Sequence, residues 1–127
     1  MKKSNKLDRK KLIKKLDATW SLLVRQKCMC ELCGARGDIK SFDAHHVVRR
    51  SHMATRWELS NGVCLCKGCH RFKVHMDTLM ATRLVNRLKE SRGADWYDEL
   101  LMKSYQIVKY TVRDLENILC DFQDLPF

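Results

Sequence analysis

Six of the seven cysteines and all five histidines of the sequence fall between positions 28 and 75. Thiolates and neutral imidazoles are the side chains that hold transition metals, so this window carries the chain's metal-binding capacity. Within it, Cys30 and Cys33 form one C-x2-C pair and Cys66 and Cys69 another. Each pair can close a tight loop whose backbone amides point at the sulfurs, and two pairs supply the four-thiolate set that suits a structural zinc. Cys28 and Cys64 create overlapping C-x-C spacings. The later cysteine of each cluster is preferred, because Gly34 directly after Cys33 is what a knuckle turn requires, while Cys64 fits an inward-facing strand position. Zinc held this way would pin the start of a hairpin to the start of a helix and draw His45 and His46 towards His70.

The elements that must position these residues are read from periodicity. Leu12, Leu16, Trp20, Leu23 and Val24 recur at helical spacing, which predicts an N-terminal helix over 8–27 after a disordered basic start at 1–7. Lys10, Lys11, Lys14 and Lys15 on its other face suit a phosphate backbone or plain solvent equally. Gly34, Gly37 and Asp38 mark a turn, the β-branched and aromatic content of 39–48 predicts a strand, and a second short strand is expected over 62–65. A long basic loop joins them. From Lys67 the pattern is helical, with Met76, Met80, Leu84 and Leu88 at i+4 until Gly93 supplies a stop. A further helix is expected from Asp95 to about Val108. The last opens at Thr111 with Asp114 as a capping pair and buries Val112, Leu115, Leu119 and Phe122, with Cys120 as a core thiol.

Composition sets the surroundings. The chain of 127 residues is expected to be one domain, small enough to benefit from a metal staple. No apolar run approaches the roughly eighteen residues that a membrane span needs, and the charged N-terminus has no apolar core of a secretory signal, so a cytoplasmic location with reduced thiols is expected. The formal net charge is +10, from 25 Lys and Arg against 15 acids. A balance this basic favours a polyanionic partner, of which nucleic acid is the commonest.

The constellation resembles the HNH endonucleases, whose ββα-metal fold carries a histidine pair on the first strand, an asparagine in the loop and a histidine on the helix. Here these read as His45-His46, then Asn61 fifteen residues after His46, then His70 nine residues after Asn61, enclosed by the two C-x2-C pairs. The resemblance implies an α+β fold: a small ββα-metal core (28–76) with a four-cysteine zinc knuckle, flanked by the N-terminal helix and by C-terminal helices over 77–124. It implies His46 as general base, since an imidazole of pKa about 6.5 can take a proton from water at neutral pH. His45 and His70 would hold one catalytic divalent ion, Mg²⁺, Mn²⁺, Ni²⁺ or Zn²⁺. Asn61 would orient the site by fixing either the loop or the His46 ring.

Arg49, Arg50, Arg56, Arg71 and Lys73 flank this site and would contact phosphates rather than read bases. Asp43 sits on the strand face opposite His46 and reads as support for a ligand or for the fold. His75 departs from the four-residue spacing at which some relatives place another helix ligand, and its place as a third ligand stays open. His52 reads as a loop or phosphate-contacting residue.

The run DAHHVVRRSHMATRWELSNGVCLCKGC, with the segments that follow it, is similar to the Rap/NinG recombination endonucleases of phages. That likeness implies a phage-encoded protein in the cytoplasm of a bacterial host, with DNA as partner and branched intermediates such as Holliday junctions as substrate. A homodimer would suit a two-strand substrate. Two other readings stand beside the enzyme: a non-catalytic zinc-stapled DNA-binding module, and a nuclease-like protein that acts through a protein partner docked on its C-terminal helices.

Overall fold

The computed structural model of the protein describes residues 2–125. Helix α1 spans Lys2–Arg25. Of its expected apolar stripe Leu16 and Trp20 are buried and Leu12, Leu23 and Val24 half-buried, while Leu22 is exposed. Residues 2–7, expected as a disordered start, continue this helix, and Met1 lies outside the described residues. Neither glycine nor proline occurs before Gly34, so nothing interrupts a run of good helix formers. The helix stops at Arg25 rather than 27, just before Cys28 takes a left-handed backbone conformation with φ of 51°.

Strands β1 (Phe42–His46) and β2 (Gly62–Cys66) pair antiparallel, with Phe42 opposite Cys66 and His46 opposite Gly62. The first strand is shorter than the expected 39–48. Residues Ile39–Ser41 form a 3-10 turn, and beyond His46 both polar groups of the Val48 backbone are taken by the Asn61 side chain. The long connection between the strands is held by indoles. Trp20 donates from Nε1 to the Glu58 carbonyl at 2.9 Å, Trp96 to the Ser60 carbonyl at 2.7 Å, and Trp57 to Asp17 Oδ1 at 2.9 Å. Arg92 adds bonds to the carbonyls of Ser60 and Gly62.

Beyond β2 the expected continuous helix is split. Cys69–Val74 is a single π-helical turn, after which Asp77 caps a new helix, α2 (Thr78–Arg92), by accepting from the Leu79 amide. Met76 falls in the break and is exposed rather than buried. Gly93, with φ of 97°, ends α2 as its position predicts. Helix α3 (Asp95–Ser104) ends before Val108, which leaves Tyr105 and Ile107 in solvent. Helix α4 (Val112–Gln123) has the full capping box of Thr111 and Asp114. Its inward stripe is Leu115, Leu119 and Phe122, and Cys120, read as a core thiol, faces outward and is exposed.

Two hydrophobic clusters meet at Val24. One joins α1 to α4 through Leu16, Trp20, Leu115, Leu119 and Phe122, with Trp57 from the loop. The other gathers Phe42, Val63, Leu65, Leu84, Leu88, Trp96 and Leu100 around the hairpin, α2 and α3. Among the described residues no helix is long and apolar enough to cross a membrane.

Gly62 sets how closely α1 approaches the sheet. A Cβ there would lie 2.3 Å from Val24 Cγ2 and 3.0 Å from Trp20 Cζ2. Val24 is β-branched and stiff, so the helix itself would have to retreat. Gly62→Ala is therefore expected to destabilise the protein by about 1–3 kcal/mol. A denaturant titration monitored by tryptophan fluorescence checks this, and an unchanged midpoint would show that α1 does not bear on the sheet at this position.

Candidate functional site

The four zinc-type donors converge. Cys30, Cys33, Cys66 and Cys69 bring their sulfurs within 4.8 Å of one another, and Cys33 Sγ lies 3.9 Å from Cys66 Sγ. Zn–S bonds of about 2.3 Å in a tetrahedron require sulfurs about 3.8 Å apart. The set fits. The Cys33 amide donates to Cys30 Sγ at 3.5 Å and the Cys69 amide to Cys66 Sγ at 3.4 Å, the same arrangement at both corners. Gly34 turns at φ of 79° and donates to the Cys30 carbonyl at 2.9 Å, the knuckle expected from its position. Burial raises the Cys30 thiol, but the amides and neighbouring thiols outweigh it and bring the group down to about 7. Cys69 is pushed up by its own burial and by the thiols around it. Cys64 is buried in the core, and neither it nor Cys28 belongs to the cluster.

A second cluster is built on the π turn and β1. One ring nitrogen from each of His45, His70 and His75 falls within 4.8 Å of the others. The turn explains how His75 joins it. The His75 amide bonds to the His70 carbonyl five residues back, so that positions five apart stack where an α-helix would stack those four apart. Nε2 of His75 comes to 2.8 Å from Nε2 of His70. Two nitrogens each about 2.1 Å from a common ion span such a distance, and imidazoles with an exposed lone pair are suitable donors. Burial, and then the neighbouring His70 and His75, push the His45 ring down to about 4, which keeps it neutral as a ligand must be.

Asp43 fixes this cluster from behind. It shares a strand face with His45, and its Oδ2 accepts from His70 Nδ1 at 3.0 Å, which leaves the lone pair of His70 on Nε2, facing His75. Lys67 holds the other carboxylate oxygen at 3.0 Å. Burial opposes the charge on Asp43, but the bonds from Lys67 and His70 hold its carboxyl below the usual range. Asp43→Ala is expected to weaken Mn²⁺ binding at the imidazole cluster by about 10–100-fold while zinc content stays at the wild-type level. Calorimetric titration with Mn²⁺ beside metal analysis measures both, and equal Mn²⁺ affinity would remove Asp43 from this role.

His46 points to the opposite strand face. Its ring stacks on Trp20, with centroids 3.9 Å apart and planes within 14°, and its Nε2 lies 3.0 Å from the Arg56 carbonyl. A carbonyl only accepts, so the neutral ring carries its proton on Nε2 and its lone pair on Nδ1. Among the described residues nothing bonds Nδ1, and no buried polar side-chain atom is left unpartnered, so Nδ1 reaches solvent. Burial lowers the pKa of His46, against the raising pull of the Arg56 carbonyl and of Asp17. His46 nevertheless lines one cleft, of about 560 Å³, together with His45, His70, His75, Arg49 and Arg50. The two ring faces meet the same space.

Asn61 acts on the loop. It is fully buried; its Oδ1 accepts from the Val48 amide at 2.7 Å, and its Nδ2 donates to the Val48 and Thr55 carbonyls at 3.0 Å each. None of these hydrogen bonds reaches the His46 ring; all three hold the loop between the strands. Arg56, expected on a phosphate, is instead turned into α1. Its Nη2 lies 2.7 Å and its Nε 3.0 Å from the two carboxylate oxygens of Asp17, and the side chain is only 15% exposed. The pairing places the carbonyl that His46 uses.

Arg49 and Arg50 are exposed along the cleft. Arg71 lines a second cleft, of about 590 Å³, which shares Ala44, His70 and His75 with the first and adds Arg25, Lys40 and Lys67. Lys73 is exposed outside both. His52 is exposed, with Nδ1 3.3 Å from the Ser104 carbonyl. Sequence reasoning does not assign Trp20, Asp17, Arg25 or Lys40 to the site. The spacing of five between His70 and His75 is the available signal for the π turn.

Residues 30–75 match the family model described as HNH endonuclease. No curated protein and no solved structure matches the chain. The matched segment begins at Cys30, the first of the four-cysteine cluster, and ends at His75, and so encloses both clusters, His46 and Asn61. The two-stranded sheet, the four-cysteine cluster and the flanking helices make a small ββα-metal fold. A match to this family suggests a nuclease or DNA-binding role.

Proposed function

We propose that the protein is a divalent-metal-dependent endonuclease that hydrolyses DNA phosphodiester bonds. The observation that carries this reading is the convergence of His45, His70 and His75 in one cleft with His46, whose neutral ring has its lone pair on the solvent-reaching Nδ1. A divalent ion bound to the three imidazoles would supply charge neutralisation at a non-bridging phosphate oxygen and at the departing 3′ oxygen. His46 Nδ1 takes the proton of the attacking water while Nε2–H stays on the Arg56 carbonyl. The nearby Asp17 charge favours the imidazolium that results. Arg49, Arg50 and Arg71 hold phosphates on either side of the scissile one. Such contacts make affinity fall steeply with salt.

The likeness to phage Rap/NinG-type enzymes extends the proposal to branched recombination intermediates, and a homodimer would let two strands be cut together. Conversion of supercoiled plasmid to nicked circles tests the reading. Nicking is expected with added Mg²⁺, Mn²⁺ or Ni²⁺ and not without a second metal. Binding to plasmid with no nicking under any of these ions would leave a zinc-stapled DNA-binding module in its place.

A further inference from the structure

The π turn that supplies two of the imidazoles also presents an aromatic ring to solvent. Phe72 is 74% exposed, and Met76 and Leu79, four and seven residues further on, are each 78% exposed. Single exposed apolar side chains are ordinary, whereas several large ones on one short segment mark an interaction site. Arg71 and Lys73 bracket Phe72 in sequence, both exposed. Neither has an acidic partner among the described residues, and Arg71 lines the cleft that contains His70 and His75.

An exposed aromatic ring with a cation on each sequence neighbour matches one chemistry closely: an unstacked nucleobase, with a π face for the ring and flanking phosphates for the guanidinium and ammonium. A second copy of this chain fits poorly. Each copy carries a net charge of +10, and mutual burial of this patch would set Arg71 and Lys73 of two copies against each other.

We propose that Phe72 is a stacking platform for an unpaired base, so that the protein prefers single-stranded or locally unpaired DNA. Phe72 follows His70 by two residues and precedes His75 by three, so on a turn whose positions five apart stack it is carried on the side away from the two imidazoles. Met76 adds apolar surface beyond it. The position of the base relative to a cut rests on the nuclease reading; the stacking itself does not.

The test uses the zinc-loaded full chain with no second metal added. The probes are a single strand, a fully paired duplex and a duplex with one unpaired base, each carrying the fluorescent adenine analogue 2-aminopurine. Phe72→Ala is expected to weaken binding to the single strand and to the unpaired-base duplex by roughly ten-fold, and to the paired duplex by no more than about two-fold. Phe72→Trp should restore affinity and the change in 2-aminopurine emission that marks stacking. Arg71→Ala should instead weaken all three probes alike and lower the salt slope by about one.

Equal affinities of wild type and Phe72→Ala for every probe, or an equal loss on all three, would overturn the platform. So would a wild-type dimer that Phe72→Ala converts to monomer, which would assign the patch to a second copy. A wild type that shows the base preference but nicks no plasmid removes the nuclease reading and leaves this one standing. Plasmid nicking with no dependence on Phe72 does the reverse.

Discussion

Replacing His46 with alanine is expected to lower the rate of plasmid nicking by about 10²–10⁴-fold while leaving zinc content and DNA affinity near wild type, the range for loss of a positioned general base. The ring has no ligand role to lose, because the imidazole cluster draws on His45, His70 and His75. Rate and binding should therefore separate. The pH profile of the wild type offers a second readout. The competent form of His46 is neutral, its pKa lies below the ordinary 6.5 because burial disfavours the cation, and activity falls as pH drops through the lowered value. The acid limb should thus lie below pH 6.5, and its midpoint should move in the residual activity of His46→Ala, where only protonation of the three ligand imidazoles remains to produce one. A variant as fast as wild type would take the base role from His46.

Stripping the metal proposed for the four-cysteine cluster should unfold the hairpin and its contacts rather than merely stop the proposed nicking. Zinc at a four-thiolate site is worth about 10–16 kcal/mol in small folded peptides near neutral pH, comparable to or above the whole stability of a domain this size. Three of the four sulfur ligands belong to buried or half-buried residues, and the cluster joins the residue 30–34 knuckle to the end of β2 and the start of the π turn. Without the ion, those thiols pack against one another, and the knuckle is tied to β2 mainly by Glu31, whose amide donates to the Cys64 carbonyl and whose carboxylate accepts from the Cys64 amide. Cys69→Ser is expected to lose zinc, cooperative thermal unfolding and nicking together, and added Mg²⁺ should not restore them. Cys28→Ser and Cys120→Ser should keep one zinc per chain. Circular dichroism melts alongside metal analysis would show it, and a sharp melt in zinc-free Cys69→Ser would demote the metal from folding to ornament.

Local chemistry makes much of this arrangement legible in the sequence. The two C-x2-C pairs, the Gly34 turn, the Gly93 stop and the Thr111 capping box each depend on residues a few positions apart, and each forms where its spacing predicts. What stays hidden is set by distance or by an unusual helical pitch. Arg56 looks like a phosphate contact in sequence because its partner, Asp17, lies 39 positions earlier on another element. The His70 and His75 pair looks misaligned under a period of 3.6, where the chain takes one π turn, and the same period runs a single helix through Met76. Adjacency to an apolar stripe suggests an interior place for Cys120, whereas a helix turns an adjacent residue away. Charge alone suggests a disordered start, although lysine does not oppose helix.

The indole of Trp20 lies against the proposed base, yet α1 ends before the stretch that carries the HNH pattern begins. Asp17 on the same helix anchors Arg56, whose carbonyl sets the tautomer. The motif is therefore not a portable cassette: grafted elsewhere without this N-terminal arm, it would keep its ligands and lose the clamp that tells His46 which nitrogen to offer.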